Sequence, residues 1–459
     1  MISIAVIGGS GFWANVGHYK HILQARESQS VVVKIVAIVD PNDPYAQSPD
    51  IKPYLREVLN SDSPRWIRPG GFDTEVSIIN SLKDDLKIDM VIIASSPTTH
   101  YPYALACVKH RIHAICDKPI VSHANASFDS KSAALITEEF KNLCFQYEKS
   151  LNEEPRLLCC SVLRRRGLKV FRDVASELLE VYQETGAGIN NMSVIVNSGK
   201  YLYPAELNIV GAHGYREGIG SLSHSAYHYI DLISWYIGAA RGNIAFLQPK
   251  LNYVFRVKDY ISSKSYMSLW KINSEADDAL RVDELPKEIL ESELNTSYTI
   301  NLMDNNKNNI GSILFNFNQV SYTPRTLPYS ATNDPADLPG GGRTSSFIID
   351  IHQDGLLNYY VYKNDTVFEE YSIESRIRKH THITQGYNDP GVSSVDDPYN
   401  QGATLVDAYC DLFQYISDSH KGLTNPIVRS ILSERLATEL YGAFYELLSK
   451  HTTNKLIKV

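Results

Sequence analysis

Asp117-Lys118-Pro119 places an ammonium beside a carboxylate directly after the apolar run Ala114-Ile115-Cys116. At the carboxyl end of a strand such a lysine can donate to a substrate oxygen and stabilise developing alkoxide charge. The plainer alternative is a surface lysine before a turn proline. His224 and His228 form a second cluster, with Tyr227 and Asp231 close in sequence. At about 100° per residue, His224, His228 and Asp231 fall on one helical stripe. A neutral imidazole facing a cleft can take a proton from a carbinol. Spacing of i and i+4 also suits a shared zinc ion, but Ser225 stands where a zinc-protease motif needs glutamate. No downstream ligand completes such a site, so no metal is assigned, and a purely structural histidine pair stays open. Arg164, Arg165 and Arg166 could grip a carboxylate or phosphate bidentately, or form a solvated cluster.

The loop Gly8-Gly9-Ser10-Gly11-Phe12-Trp13-Ala14 follows the short apolar run Ile4–Ile7. It satisfies both GxGxxA and the looser GxxGxxA, patterns that let a pyrophosphate approach a helix N-terminus. An ordinary glycine turn would look the same. Asp40 ends the β-branched run Val31–Val39, where a carboxylate can accept both hydroxyls of an adenosine ribose. Its charge would repel a 2′-phosphate, and Pro41, Asn42 and Asp43 add no cation. NAD is therefore expected rather than NADP, unless Asp40 merely opens the turn before Pro41.

The elements that must hold these groups alternate strand and helix. Strands are expected at Ile4–Ile7, Val31–Val39, Val91–Ala94 and Ile112–Cys116, with helices through His18–Ala25 and 99–109. Short β-branched strands separated by helices imply a parallel sheet. The stretch 49–71, rich in Pro, Asp and Ser, reads as an irregular excursion. After Pro119 a long helix over 126–147, a strand over 157–163 and a helix over 168–182 are expected. From about 189 to 368, runs such as Tyr298–Met303, Ser312–Phe317 and Phe347–Ile351 alternate like strands of a largely antiparallel sheet. Two amphipathic helices end the chain, one with Leu405, Tyr409, Leu412 and Ile416, the other with Leu432, Leu436, Leu440 and Phe444.

Val91-Ile-Ile-Ala-Ser-Ser-Pro-Thr-Thr-His100 followed by Asp117-Lys118-Pro119 resembles the glucose-fructose oxidoreductase / inositol dehydrogenase / MocA family. That family carries a T-P-x-x-x-H-like element and then Glu-Lys-Pro, so aspartate here shortens the acidic arm by one methylene. Gly218-Ile-Gly-Ser-Leu-Ser-His-Ser-Ala-Tyr-His228-Tyr-Ile-Asp231 resembles its GGGxxxDxGxHxxD pattern. Gly218, Gly220, His228 and Asp231 match. His224 stands in place of aspartate, Ala226 in place of glycine and Ile219 in place of the middle glycine. The resemblance implies a Rossmann domain over 1–121 and, over 122–459, an α/β domain with a large, mostly antiparallel open sheet. It implies dinucleotide contacts from Gly8, Gly9, Ser10, Gly11, Phe12, Asp40, Ser96, Pro97, Thr98, His100, Asp117 and Lys118, with a proline that is often cis. Lys118, His228 and His224 are the implied catalytic residues; Arg164, Arg165, Tyr227 and Asp231 are expected at the substrate.

Composition excludes several other classes. With a formal net charge of -8 and no long basic run, the chain is no candidate for wrapping nucleic acid. No run of about 18 apolar residues suggests a membrane span, and Met1–Trp13 reads as a first strand rather than a signal peptide. Six cysteines without CxxC or framework spacing read as small buried hydrophobes in a reducing cytoplasm. The expectation is an NAD-dependent dehydrogenase or reductase acting on CH–OH groups of a sugar, cyclitol or sugar derivative, oligomeric through its second-domain sheet. Stretches 273–295 and 323–344 look like insertions atypical of the family. Two other outcomes stay open: NAD-assisted glycoside cleavage without net redox change, and a dinucleotide-binding sensor without turnover.

Overall fold

The computed structural model describes residues 1–28, 31–42, 52–71, 74–199, 214–263, 285–321, 345–363, 373–380, 393–395, 401–450 and 455–459. The chain divides into two compact units, each assembled from separated segments. The first comprises Met1–Ser122, Ile136–Gly167 and Asn400–Arg435; the second comprises His123–Leu135, Leu168–Tyr399 and Leu436–Val459.

In the first unit, β1 (Ile2–Ile7), β2 (Val33–Val39), β3 (Arg65–Ile67), β4 (Met90–Ile93), β5 (His113–Cys116), β6 (Cys159–Val162) and β15 (Val428–Ser430) form one sheet ordered β15-β6-β5-β4-β1-β2-β3. Every pairing but β15–β6 is parallel, as short, buried, β-branched strands require. Order reverses at β1, whose neighbours are β4 and β2, so the carboxyl ends there open the crevice where such sheets take ligands. Helices α1 (Lys20–Ser28), α2 (Pro53–Asp62), α3 (Glu75–Leu86) and α4 (His100–His110) belong to this unit, and α5 (Ser130–Leu151) follows.

The excursion expected at 49–71 is instead largely ordered. Residues 49–51 lie outside the described residues, but Pro53 opens α2 at its first turn and Leu55, Val58 and Leu59 turn inward. Buried Asp62 then accepts from the Ile35 amide at 2.8 Å and pairs with Arg26 at 2.6 Å. Helix α5 begins later than expected because Asp129 accepts the Ser132 amide at 2.8 Å, an N-cap bond.

In the second unit nine strands are ordered β14-β13-β12-β11-β7-β10-β9-β8-β16. They are β7 (Ile189–Asn197), β8 (Phe246–Arg256), β9 (Glu293–Met303), β10 (Asn309–Asn318), β11 (Ser346–Gln353), β12 (Leu357–Lys363), β13 (Ile373–Lys379), β14 (Ser393–Val395) and β16 (Ile457–Lys458). Only β7–β10 pair in parallel, so the sheet is mostly antiparallel. One face is buried in strict alternation, as in Phe347, Ile349 and Ile351 of β11, and helices α6 (Lys169–Thr185) and α7 (Tyr227–Ala239) supply apolar side chains to the same unit. Helix α8 (Gln401–Ser417) returns to the first unit, and α9 (Arg435–Lys450) lies in the second but for its first residue. Of the expected insertions, 273–284 and 323–344 lie outside the described residues, whereas 287–291 is a short helix leading into β9.

Candidate active site

The glycine loop is shaped by close approaches. Gly8 has φ +76°, and a Cβ there would stand 2.6 Å from the Ser95 backbone, so the loop after β1 can abut the loop after β4 only as glycine. Gly9 is buried, Ser10 and Gly11 are partly exposed and Phe12 is exposed. The helix that follows starts with a π-helical turn, Ala14–Tyr19, a form frequent at functional sites. Asp40 is 3 % exposed, and its two oxygens accept from the amides of Ser10 (2.8 Å) and Asn42 (2.9 Å). Its carboxylate is thereby fixed against the glycine loop. Lys52, remote in sequence, donates to the Ser10 carbonyl at 2.6 Å. The cation missing beside Asp40 in the sequence is thus supplied by the fold. Loop, carboxylate and strand ends fit a dinucleotide: Gly8–Gly11 would take the pyrophosphate and Asp40 the adenosine ribose. Such a group supplies a hydride acceptor or donor when bound.

Ser96, Pro97 and Thr98 sit partly exposed in the turn after β4. His100, expected at the cofactor, is 1 % exposed; its ring nitrogens face the carbonyls of Pro119 (2.8 Å) and Ser95 (3.0 Å). In this position it ties the turn after β4 to the segment after β5. Lys118–Pro119 is a cis peptide.

Asp117 is the hub of a network that the sequence did not disclose. Its Oδ1 accepts Trp13 Nε1–H at 2.9 Å and lies 3.1 Å from His18 Nε2. An ionised carboxylate can only accept, so Nε2 of His18 carries a proton, and Nδ1 lies 2.5 Å from the Tyr409 hydroxyl. Burial alone would raise the Asp117 carboxyl; His18, His100 and Lys118 outweigh it and hold it below the usual carboxylate range. Burial pushes the Lys118 ammonium down to about 8; Asp117 opposes the shift, while Arg164 and Arg165 add to it. Part of the lysine stays open to solvent. Arg164, in the turn after β6, lays its guanidinium over the Trp13 ring, Cζ 4.3 Å from the centroid. Arg165 is partly exposed, and Arg166 is buried.

In the second unit the stripe does not begin as an α-helix. Leu222–Ala226 is a π-helical turn and α7 starts at Tyr227. The expected core side holds: Leu222, Ala226, Ile230, Ile233 and Ile237 are all fully buried. His224 and His228 are both partly exposed, but Asp231 is 1 % exposed. Tyr227 also turns inward, its hydroxyl 3.0 Å from that of Thr438. Both side chains are buried, whereas the two histidines of the stripe keep part of their surface open. His224 is oriented by two hydroxyls, Tyr215 at Nε2 (3.2 Å) and Ser225 at Nδ1 (2.5 Å).

The loop feeding this helix is anchored by Glu293, a buried carboxylate at the start of β9. Its oxygens accept from the amides of Gly220 (3.1 Å) and Leu222 (3.0 Å) and from the hydroxyls of Ser127 (2.5 Å) and Tyr445 (3.0 Å). A Cβ on Gly220 would come within 2.8 Å of the Glu293 carboxyl carbon, which is why that motif position is glycine. Burial raises the Glu293 carboxyl, and these donors oppose the rise. Among the described residues, no group of three or more His, Cys, Asp or Glu could hold a metal ion.

Residues 2–139 match the model of an oxidoreductase family with an NAD-binding Rossmann fold, Gfo/Idh/MocA. No curated protein matches the sequence. Among solved structures, levoglucosan dehydrogenase in complex with NADH and levoglucosan is similar at 15% identity and TM-score 0.56, over 100% of this chain and 99% of that one. The WlbA dehydrogenase from Bordetella pertussis, in complex with NADH and UDP-GlcNAcA, is similar at 13% identity and TM-score 0.56, over 100% and 98% of the two chains. An oxidoreductase from Agrobacterium radiobacter, in complex with NAD+, L-tartaric acid and magnesium, is similar at 14% identity and TM-score 0.54, over 100% and 98%.

Proposed function

Residues 2–139 form an NAD-binding Rossmann domain of the Gfo/Idh/MocA oxidoreductase family, and from that premise we propose that the chain transfers a hydride between nicotinamide and a secondary alcohol or ketone of a sugar, cyclitol or sugar derivative. The observation that carries this reading is the charged Asp117–Lys118 pair at the carboxyl end of β5, with its lysine pushed down to about 8 and partly open to solvent. Perturbed groups of this kind at a strand edge are characteristic of catalytic sites. Lys118 donates to the substrate oxygen and stabilises the alkoxide. His228 takes the carbinol proton during oxidation and returns it during reduction, with His224 beside it. Levoglucosan and UDP-GlcNAcA, the ligands of two similar dehydrogenases, are both sugar derivatives. Screening NADH formation against polyols, sugars, sugar acids and nucleotide sugars tests the proposal; no NADH from any of them would remove it.

NAD is the preferred dinucleotide in this reading. Asp40, held by Ser10 and Asn42, keeps lone pairs that would accept from ribose hydroxyls, and its charge would repel a 2′-phosphate. Fluorescence titration should give at least about tenfold tighter binding of NAD than of NADP. Asp40→Ser should narrow that gap, and Lys52→Ala, which removes the nearby cation, should widen it. Equal or tighter NADP binding by the unaltered protein would refute the assignment.

The second-unit sheet is the surface we assign to self-association. On the face opposite its buried alternation, Ile195, Leu314, Ile348, Tyr360 and Tyr362 stay partly exposed. Light scattering should return a mass of at least two chains of 51.6 kDa, and a single-chain mass would reject this. All six cysteines are free, which suits a reducing compartment such as the cytoplasm. Among the described residues, no helix is long and apolar enough to cross a membrane.

A further inference from the structure

We propose that the substrate carries an anionic group, a carboxylate or a phosphoryl, which Arg164 receives with Arg165 and Lys118 beside it. This deepens the oxidoreductase reading and rests on it for the position of the reacting carbon. Three cations gather at the carboxyl ends of β5 and β6 around one carboxylate, Asp117. That carboxylate is already engaged at Oδ1 by Trp13 and His18. The cations repel one another: Arg164 and Arg165 push Lys118 down. Burial pushes Arg164 down to about 10, against the pull of Asp117. Gathering like charges in a partly buried place is costly, and an arriving anion relieves that cost.

Arg164 is also held ready for such a partner. Its guanidinium carbon lies 4.3 Å from the Trp13 ring centroid, a cation–π contact that restrains the side chain. Its Nε is buried without a hydrogen-bond partner among the described residues. A guanidinium restrained in this way keeps the paired N–H donors that grip a carboxylate or phosphoryl by two oxygens.

Sheet order favours an anion of the substrate. Arg164 follows β6 and Lys118 follows β5, whereas the pyrophosphate loop follows β1 and Asp40 ends β2. In the order β6-β5-β4-β1-β2, strands about 4.8 Å apart put the end of β6 roughly 14 Å from that of β1 and 19 Å from that of β2. A dinucleotide lying from β2 across β1 would bring its nicotinamide end toward β5; the Arg164 backbone lies beyond that, while its guanidinium reaches back over Trp13, two residues past Gly11, so the NAD affinity of the variants decides between a substrate anion and the pyrophosphate.

Calorimetry on the NAD-loaded protein tests this with D-glucuronate, D-glucose 6-phosphate and neutral D-glucose as probes. At least one anionic probe should bind about tenfold or more tighter than D-glucose, and which one does separates a carboxylate from a phosphoryl site. Arg164→Met should abolish that preference while NAD affinity stays within about twofold. Arg164→Lys, which keeps the charge and loses the fork, should retain only part of it and covers the case in which the methionine variant fails to fold. Equal binding of neutral and anionic probes, no binding of either anion, or a matching loss of NAD affinity in the variants would overturn the proposal. The last result would give Arg164 to the pyrophosphate. Arg164-dependent anion binding without NADH formation from any substrate would leave the anion site standing and remove the oxidoreductase reading instead.

Discussion

Lys118→Ala is expected to lower turnover by about 10²-fold or more, the scale of losing one charge-stabilising donor in a water-poor site. NAD affinity should stay nearly intact, because Gly8–Gly11 and Asp40 follow β1 and β2 whereas Lys118 follows β5. The pH dependence gives a sharper check. With its ammonium pushed down to about 8, Lys118 begins to lose its charge there rather than near 10.5. A reaction that needs the cation should therefore fall as pH rises through about 8. Lys118→Arg holds a charge across that range and should lose this limb, although its fork fits a single oxygen less well. Stability should move the opposite way. Between about 8 and 10.5 the unfolded chain binds more protons at this lysine than the folded one, so stability rises with pH in that window. Lys118→Met should flatten the rise. Near-normal turnover in Lys118→Ala would take the lysine out of the mechanism.

Why Lys118 was legible and its network was not comes down to distance along the chain. Gly8–Gly11, Asp40 and Asp117-Lys118-Pro119 each follow a short apolar strand, so local pattern alone places them at strand ends. The partners of Asp117 come from elsewhere. Tyr409 bonds His18 across 391 residues, and in the sequence it counted simply as one apolar position on an amphipathic helix. A tyrosine hydroxyl leaves no trace in a hydrophobic period. Glu293 was hidden in a stretch that reads as the end of an insertion, and only folding brings its carboxylate to the Gly220 and Leu222 amides. Lys52 supplies a cation beside the Asp40 loop through helix α2, in a stretch whose prolines and aspartates read as irregular. Periodicity also assumes a fixed 100° step, so it could not foresee the π turns at Ala14–Tyr19 and Leu222–Ala226. Asp231 shares a regular helix with His228, yet it is buried while His228 is partly exposed, a difference set by what packs against the helix and not by its period.

His228→Ala is expected to cost on the order of 10²–10⁴ in rate if the imidazole is the acid and base. His228→Asn should be almost as slow, since it keeps polarity and cannot shuttle a proton. The structure leaves His228 partly exposed, as a group that meets substrate must be, and packs Tyr227 and Asp231 inward. His224 is a different case. Both its ring nitrogens are held by hydroxyls, of Tyr215 and Ser225, which suits a fixed neighbour better than a proton carrier. His224→Asp should therefore shift the pH–rate profile instead of abolishing activity. An anion one turn away favours the charged imidazolium, so His228 would need a higher pH to accept the carbinol proton. The oxidative limb should then move to higher pH, and His224→Asn, which adds no charge, should leave it in place. A further consequence separates this limb from that of Lys118: one rises with pH and the other falls, so His224→Asp should narrow the optimum from its acidic side alone. The decisive comparison is the pH dependence of these variants with a substrate found by the NADH screen. A profile unmoved by every substitution at 224 and 228 would make the histidines a structural pair and leave proton transfer to another group.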